Sequence, residues 1–510
     1  MGHPAIVSKG KELAQNAKEH AGEGFSPTRP PASALPLLGV ALLLALKLGV
    51  LALYGPTMTP DSGGYVSYAD QILSGGFRHV DLVNQAVPIT LARPIGYPAV
   101  IAAGKLIAGA DWAWAIVLLQ VALSLWATVM VYRLARMFEL GLWIGLGVAA
   151  AQATAMQFVV DQAVLSDSLC ASSMTIAACI LAGVVLKREP QHWLALFGAG
   201  ALMAVAFLMR DVIAFVAVGL VPLAAAAAMN DRTWLRRLVA FALVFIPLIT
   251  AHRAYAEWNR WRVGAPVITT VSQWTLYDAL GNASQFDPAI FSGPNSVDEV
   301  GRRVFKSFEV GPELSEAYEA NEILHRDYGW SAVQIAHEVT HAYLRAWLYH
   351  PLAMIRHTWV PLSETQLHQA VRPTETIKDI LLWNTGNDRN FGRERAVRNG
   401  NWWMIPAIIA DHLAETASVL IFVSFIVIMP LRLARDCLSA EAVASAGLWC
   451  SYLVCGGLYA AVHLEPRYLV PVVAGSIIVG AANIVRFAAL YRRRSAAKPA
   501  RATVVGELSG

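Results

Sequence analysis

Apolar runs close to 20 residues long recur along the chain, separated by short polar connections rich in arginine. A helix of about 20 residues crosses the roughly 30 Å of a bilayer's hydrocarbon, so the pattern predicts transmembrane helices. They fall at about 34–53, 112–132, 142–159, 165–186, 192–208, 212–229, 238–256, 405–431, 443–461 and 468–490, roughly ten in all. No internal repeat of 20–50 residues or inverted halves is evident, which weakens a transporter of that build.

Two longer segments break the rhythm. Residues 54–111 contain RPIGYPAVIAAGKLIAG, too short and Gly-rich for a span, which reads as an interfacial helix. Residues 257–404 carry mixed charge and helix-like amphipathic stretches at about 298–309, 312–327 and 331–350. The chain therefore divides into a polar tail (1–33), a membrane core that includes the first loop (34–256), a folded insertion (257–404), further spans (405–490) and a second tail (491–510).

Basic residues set the expected orientation. One series of connections holds Arg133, Arg136, Lys187, Arg188, Arg232, Arg236, Arg237, Arg432 and Arg435, whereas the opposite short connections hold little beyond Arg210 and Arg467. The positive-inside rule makes the first series cytoplasmic. The tails agree, with Lys9, Lys11, Lys18 and Arg29 before the first span and Arg492, Arg493 and Arg494 after the last. Both termini are expected inside an inner (cytoplasmic) membrane, with segments 54–111 and 257–404 exported. The polar lead is too long for a cleavable signal peptide.

Composition narrows the class. The chain is 56% hydrophobic and 15% charged, against about 25% charged in soluble domains. That excludes soluble, disordered and collagen-like chains and a nucleic-acid partner. The net charge of +4 is too small to point to an acidic partner.

The informative residues gather on the exported side. After the first span comes TMTPDSGGYVSYADQILSGGFRHVDLV, then LARPIGYP. Asp61 stands where the chain leaves the bilayer; Thr59 or Ser62 is expected to cap a helix that begins near Tyr65. Arg93 opens the interfacial helix, Asp167 (VLSDSL) begins the fourth span, and Arg210 and Asp211 lie between two further spans. HLEPRY supplies His463, Glu465, Arg467 and Tyr468 before the last span. Nearly every ionisable residue near the spans is thus expected on one face. Such charges are costly at a membrane, and a shared polar cavity accounts for them. Carboxylates among arginines suit a reaction in which a hydroxyl loses its proton as a phosphate departs. The plainer alternative makes Asp61 and Asp167 helix caps and Glu465 a brace for Arg467.

TPDSGGYVSYADQILSGG followed by RPIGYP resembles the first exported loop of the GT-C glycosyltransferases, in the branch of protein O-mannosyltransferases and lipid A aminoarabinose transferases. LSDSL and EPRYLVP resemble two later elements of that branch. The family's loop often reads Asp-Glu where this chain has Asp61-Ser62, so Asp61 alone must serve. The resemblance implies a GT-C-like, all-α polytopic fold and transfer of one sugar, with inversion, from a polyprenyl-phosphate donor to an acceptor hydroxyl on glycan, lipopolysaccharide or protein. It implies Asp61 as general base and Arg93, Arg467 and Arg210 as phosphate ligands. Asp167 would be a second acid, and Glu465, His463 and Tyr468 would contact the donor sugar or orient the loop. It gives no reason to require a metal or cofactor, because the lipid-linked sugar is a substrate.

Other features offer alternatives. His337-Glu338-Val339-Thr340-His341 matches the zinc pattern H-E-x-x-H, with His350 and His357 further along, and would suit a membrane metalloprotease. A transporter or lipid flippase would instead place charges near mid-bilayer. Trp112, Trp114, Trp193, Trp402 and Trp403 fit an aromatic belt, while Trp258, Trp261 and Trp274 could stack on a sugar. Cys170, Cys179, Cys437, Cys450 and Cys455 lie in or beside spans and read as buried thiols.

Overall fold

The computed structural model describes residues 34–187, 193–230, 233–305, 314–364, 376–380, 400, 402, 405–436 and 439–507. Cys437, Trp403, Arg188, Arg232 and the basic residues of the first tail lie outside the described residues. Leu43–Gly510 is one compact unit; of what precedes it, only residues 34–42 are described, as the first turns of α1.

Helices account for the membrane core. They are α1 (Ala34–Tyr54), α2 (Pro60–Ser74), α3 (Gly96–Ala108), α4 (Trp112–Met137), α5 (Leu142–Thr154), α6 (Met156–Gln162), α7 (Ser166–Lys187), α8 (Trp193–Met209), α9 (Ile213–Ala228) and α10 (Trp234–Val263). Among the described residues, six helical stretches are long and apolar enough to cross a membrane, or seven if the bent pair α5 and α6 counts as one. The protein is a multi-pass membrane protein. Fewer spans than the roughly ten expected from hydropathy pass on length, for local reasons. The 142–159 run breaks at Ala155 and bends by 45°, and α8 and α9 are apolar but short. The 405–431 run passes from α16 (Ile405–Val423) into a π-helical turn, Ser424–Ile428.

RPIGYPAVIAAGKLIAG does not extend α4 into one long rod. Tyr97 Oη donates to Gln120 Oε1 at 2.8 Å, whereas 23 residues of straight helix would part them by about 35 Å. α3 therefore folds back on α4. Gly96 lets the start of α3 meet the end of α8, since a Cβ there would overlap the Leu208 carbonyl oxygen. Gly200 does the same for α8 against α10, where a Cβ would overlap Val244 O. Such glycines let membrane helices meet backbone to backbone.

α7 is the central post, buried over most of its length, and α1 and α10 are peripheral. One pair of buried charges lies outside the residues singled out from the sequence. Lys47 of α1 and Asp161 of α6 form an ion pair with no exposure, joined by Ser124, Gln157 and Ser168. A lone lysine within an apolar 21-residue helix was the available signal.

The insertion builds its own core from α11 (Ser272–Ser284), α12 (Ser296–Val304), α13 (Leu314–Tyr328), α14 (Ala332–Tyr349) and α15 (Pro351–Glu364). Its amphipathic helices match the expected stretches within a few residues. Tyr277, Phe291 and Phe305 pack as an aromatic knot, the two phenylalanines stacked at 5.6 Å. Helices α17 (Met429–Asp436), α18 (Ala440–Val462) and α19 (Val470–Glu507) complete the chain. Cys170, Cys179 and Cys455 are buried free thiols and Cys450 is partly buried.

Candidate active site

The end of α1 is stitched to the link between α6 and α7. Thr57 N–H donates to Gln162 O and Val164 N–H donates to Thr57 O, both at 2.9 Å, making an isolated parallel bridge between Thr57 and Ala163. Ser62 Oγ donates to Val164 O at 2.9 Å, and the Tyr65 and Ser166 hydroxyls meet at 2.8 Å. The starts of α2 and α7 are thereby held together.

α2 starts at Pro60, five residues before the expected point. Proline suits the first helical position, where no N–H partner is needed. The Thr59 N–H donates to Ser62 Oγ at 2.8 Å. Asp61 thus lies inside the first turn, where a carboxylate also meets the positive end of the helix dipole. Asp167 occupies the first turn of α7 in the same way.

Three arginines from distant parts of the chain converge here. Arg93 Nη2 donates to Asp61 Oδ1 at 2.8 Å, and Arg467 Nη2 donates to Asp61 Oδ2 at 3.2 Å. Arg210 pairs with Asp167 and lies 4.4 Å from the Tyr468 ring centre. The Arg467 guanidinium is 5.3 Å from the same ring, so Tyr468 neighbours both cations. Arg93 lies 5.1 Å from the Tyr65 ring. Asp211 does not join this group; it accepts from Thr269.

Glu465 gathers the C-terminal side of the site. Its Oε1 accepts from His463 Nε2 at 3.0 Å, Tyr468 Oη at 3.1 Å and Arg467 Nη2 at 3.1 Å, and its Oε2 lies 2.6 Å from Arg467 Nε. His463 Nδ1 lies 3.6 Å from Oδ2 of Asp278 on α11, a residue the sequence pattern did not single out.

Electrostatics follow from this packing. Burial raises the Asp61 pKa, but Arg93, Arg467 and Arg210 outweigh it and hold the carboxyl below its ordinary value of 3.8. Burial likewise opposes ionisation of Glu465, yet His463 and Arg467 bring it down to about 2. For His463, burial favours the neutral ring, and Asp278 and Glu465 overcome it, raising the imidazole to about 9. At neutral pH the site holds ionised Asp61 and Glu465 with protonated His463.

The other candidates lie apart. His337 and Glu338 are exposed on α14, and the His337 and His341 rings are 4.2 Å apart. His350 is engaged by Asp287 at 2.8 Å, His357 is buried, and among the described residues no third His, Cys, Asp or Glu joins the pair. Trp274 is buried beneath Tyr318, ring centres 5.4 Å apart, and Trp258 lies 4.2 Å under the Arg262 guanidinium. A cavity of about 630 Å³, lined by Phe138, Leu140, Arg432, Asn483 and Arg486, lies toward the far ends of α4 and α19 from Asp61.

Fold and site together define a multi-pass, all-helical membrane protein with a carboxylate–arginine centre at one end of its bundle. Residues 92–253 match the family model of dolichyl-phosphate-mannose-protein mannosyltransferases, a stretch that holds Arg93, Asp167 and Arg210. The match bears out the resemblance to GT-C glycosyltransferases over that stretch. No curated protein matches the chain. Among solved structures, ArnT from Cupriavidus metallidurans bound to undecaprenyl phosphate superposes with a TM-score of 0.32 at 15% identity, covering 89% of this chain and 79% of that one. The same protein in its apo state gives 0.31 at 16% identity, with 83% and 77% covered.

Proposed function

We propose that the protein is an integral-membrane GT-C glycosyltransferase that moves one sugar from a polyprenyl-phosphate donor to an acceptor hydroxyl. The observation that carries this reading is the convergence of Arg93, Arg467 and Arg210 on Asp61 and Asp167. The family match, to enzymes named for a dolichyl-phosphate-mannose donor, supports the donor class. The arginine-rich connections support cytoplasmic termini and an exported site.

Arg93 and Arg467 now donate to Asp61. A donor phosphate exchanges those contacts for its own oxygens, which guanidinium groups bind strongly. Its negative charge also raises the basicity of the released Asp61. The acceptor oxygen then attacks the anomeric carbon opposite the phosphate, and its proton passes to Asp61. The carbon–oxygen bond to phosphate breaks, and its electrons leave on the polyprenyl phosphate. Configuration inverts. Arg210, held by Asp167 beside Tyr468, adds positive charge for the departing oxygens. Glu465, His463 and Tyr468 orient Arg467. The scheme uses no metal or cofactor, since three guanidinium groups meet the phosphate charge.

The buried Lys47–Asp161 pair is a feature a transporter would share. Its closure by Ser124, Gln157 and Ser168, without exposure, fits a fastener between helices better than an ion path. The test is Asp61→Asn in membranes, with mass analysis of envelope glycans and lipid-linked sugars. We expect transfer to stop at unchanged protein level and a polyprenyl-phosphate sugar to accumulate. Retained transfer would overturn the role of Asp61.

A further inference from the structure

Asp278 is buried in α11 of the insertion, yet its Oδ1 has no hydrogen-bond donor among the described residues. A carboxylate kept only to hold a helix would normally have both oxygens satisfied. Its Oδ2 instead faces His463 Nδ1 at 3.6 Å, an ion-pair distance. From there a chain of contacts runs to the centre of the site: His463 to Glu465 at 3.0 Å, Glu465 to Arg467 at 2.6 Å, and Arg467 to Asp61 at 3.2 Å. The last turn of α18, just before the loop that carries these residues, is also tied to the insertion by Tyr343 Oη, which donates to Ala461 O at 2.8 Å.

We propose that Asp278 is a positioning residue for the donor phosphate, acting through His463 and Glu465 to set the guanidinium of Arg467. The inference rests on the function proposed above and gives the insertion a task in it. His463 is an imidazolium at neutral pH and can donate from both nitrogens at once, to Asp278 and to Glu465. Neutral imidazole has one N–H and satisfies one carboxylate only. The groups that face His463 are Asp278 from α11, Glu465 and Tyr468 from its own loop, Arg467 beyond Glu465, and His357 from α15, which burial keeps neutral. Deprotonation would let the loop relax and Arg467 shift from its place.

Because the imidazole pKa is raised, the relay holds below about 9 and is lost as pH rises through that value. Removing the Asp278 charge takes away one of the two causes of the elevation, so the loss moves toward the ordinary imidazole value of 6.5.

The experiment is binding of undecaprenyl phosphate to the full chain in lipid nanodiscs, titrated from pH 7.5 to 10, with thermal unfolding to confirm folding. Wild type should bind and lose affinity with a midpoint near 9. Asp278→Asn should have its midpoint at lower pH, bind about tenfold to a hundredfold more weakly than wild type between the two midpoints, the scale of a displaced positioning contact, and match wild type at pH 10. His463→Gln should lose the midpoint altogether, which keeps the relay testable if Asp278→Asn fails to fold. The double variant should cost little more than His463→Gln alone. Binding by Asp278→Asn with wild-type affinity and midpoint, a midpoint that survives His463→Gln, or losses that multiply in the double variant would each overturn the relay. Absence of undecaprenyl phosphate binding by wild type would instead overturn the donor class.

Discussion

Lys47→Met is the sharpest test of how the site's platform is held. Methionine keeps the length and apolar stem of the lysine and removes its charge. Neither Lys47 nor Asp161 has solvent exposure, so the variant leaves a carboxylate buried without its cation. Breaking such a pair from one side costs about 3–5 kcal/mol. Gln157, Ser168 and Ser124 still hydrogen-bond Asp161, which places the expected cost toward the lower end. Replacing both partners, Lys47→Met with Asp161→Asn, should cost less than Lys47→Met alone, because no uncompensated charge remains while the introduced amide keeps an acceptor. Thermal unfolding in detergent, followed by a thiol-reactive dye that reports exposure of Cys170 and Cys179, measures the apparent Tm. We expect the order wild type, double variant, Lys47→Met. A Lys47→Met protein that melts with wild type, or a double variant less stable than Lys47→Met, would refute the fastener.

Gly96→Val should abolish transfer while leaving the protein in the membrane, because even its Cβ would enter the Leu208 carbonyl and part Arg93 from Arg210; sugar transfer in membranes against immunoblot level decides it. Glu465→Gln should flatten the acid dependence of stability. The folded pKa of about 2 lies below the ordinary 4.5, so the Glu465 contribution is present above 4.5 and fades as pH falls toward 2. Apparent Tm from pH 7 to 3 should fall less steeply in the variant, and parallel curves would count against the pairing.

Much of the site was legible because membrane chains use charge sparingly, so Asp61, Arg93, Asp167, Arg210, Glu465 and Arg467 stand out against apolar surroundings. Glu465 was legible as a partner of Arg467 and Arg93 as facing Asp61, but the pairs Asp61–Arg467 and Asp167–Arg210 were not, since they join remote parts of the chain. Asp278 was hidden for a different reason. It lies in an insertion where carboxylates are common, and only tertiary packing isolates it with His463. Hydropathy placed the apolar runs but could not see that the run through Ala155 bends or that α3 turns back on α4, because both depend on backbone geometry at single residues. Lys47 was concealed by its neighbours: averaged over its helix, one lysine hardly lowers the apolar signal.

The bridge between Thr57 and Ala163 also acts as a ruler. Asp61 follows Thr57 by the same number of residues as Asp167 follows Ala163, and each falls in the first turn of its helix. The two acids are therefore indexed from one shared mark, one set before Arg93 and Arg467 and one before Arg210. Loss of a single residue from the extended connector before Pro60 would shorten its reach by about 3.3 Å and draw the carboxylate off that mark. Length in this short connector is thus as much a part of the chemistry as the acid it delivers.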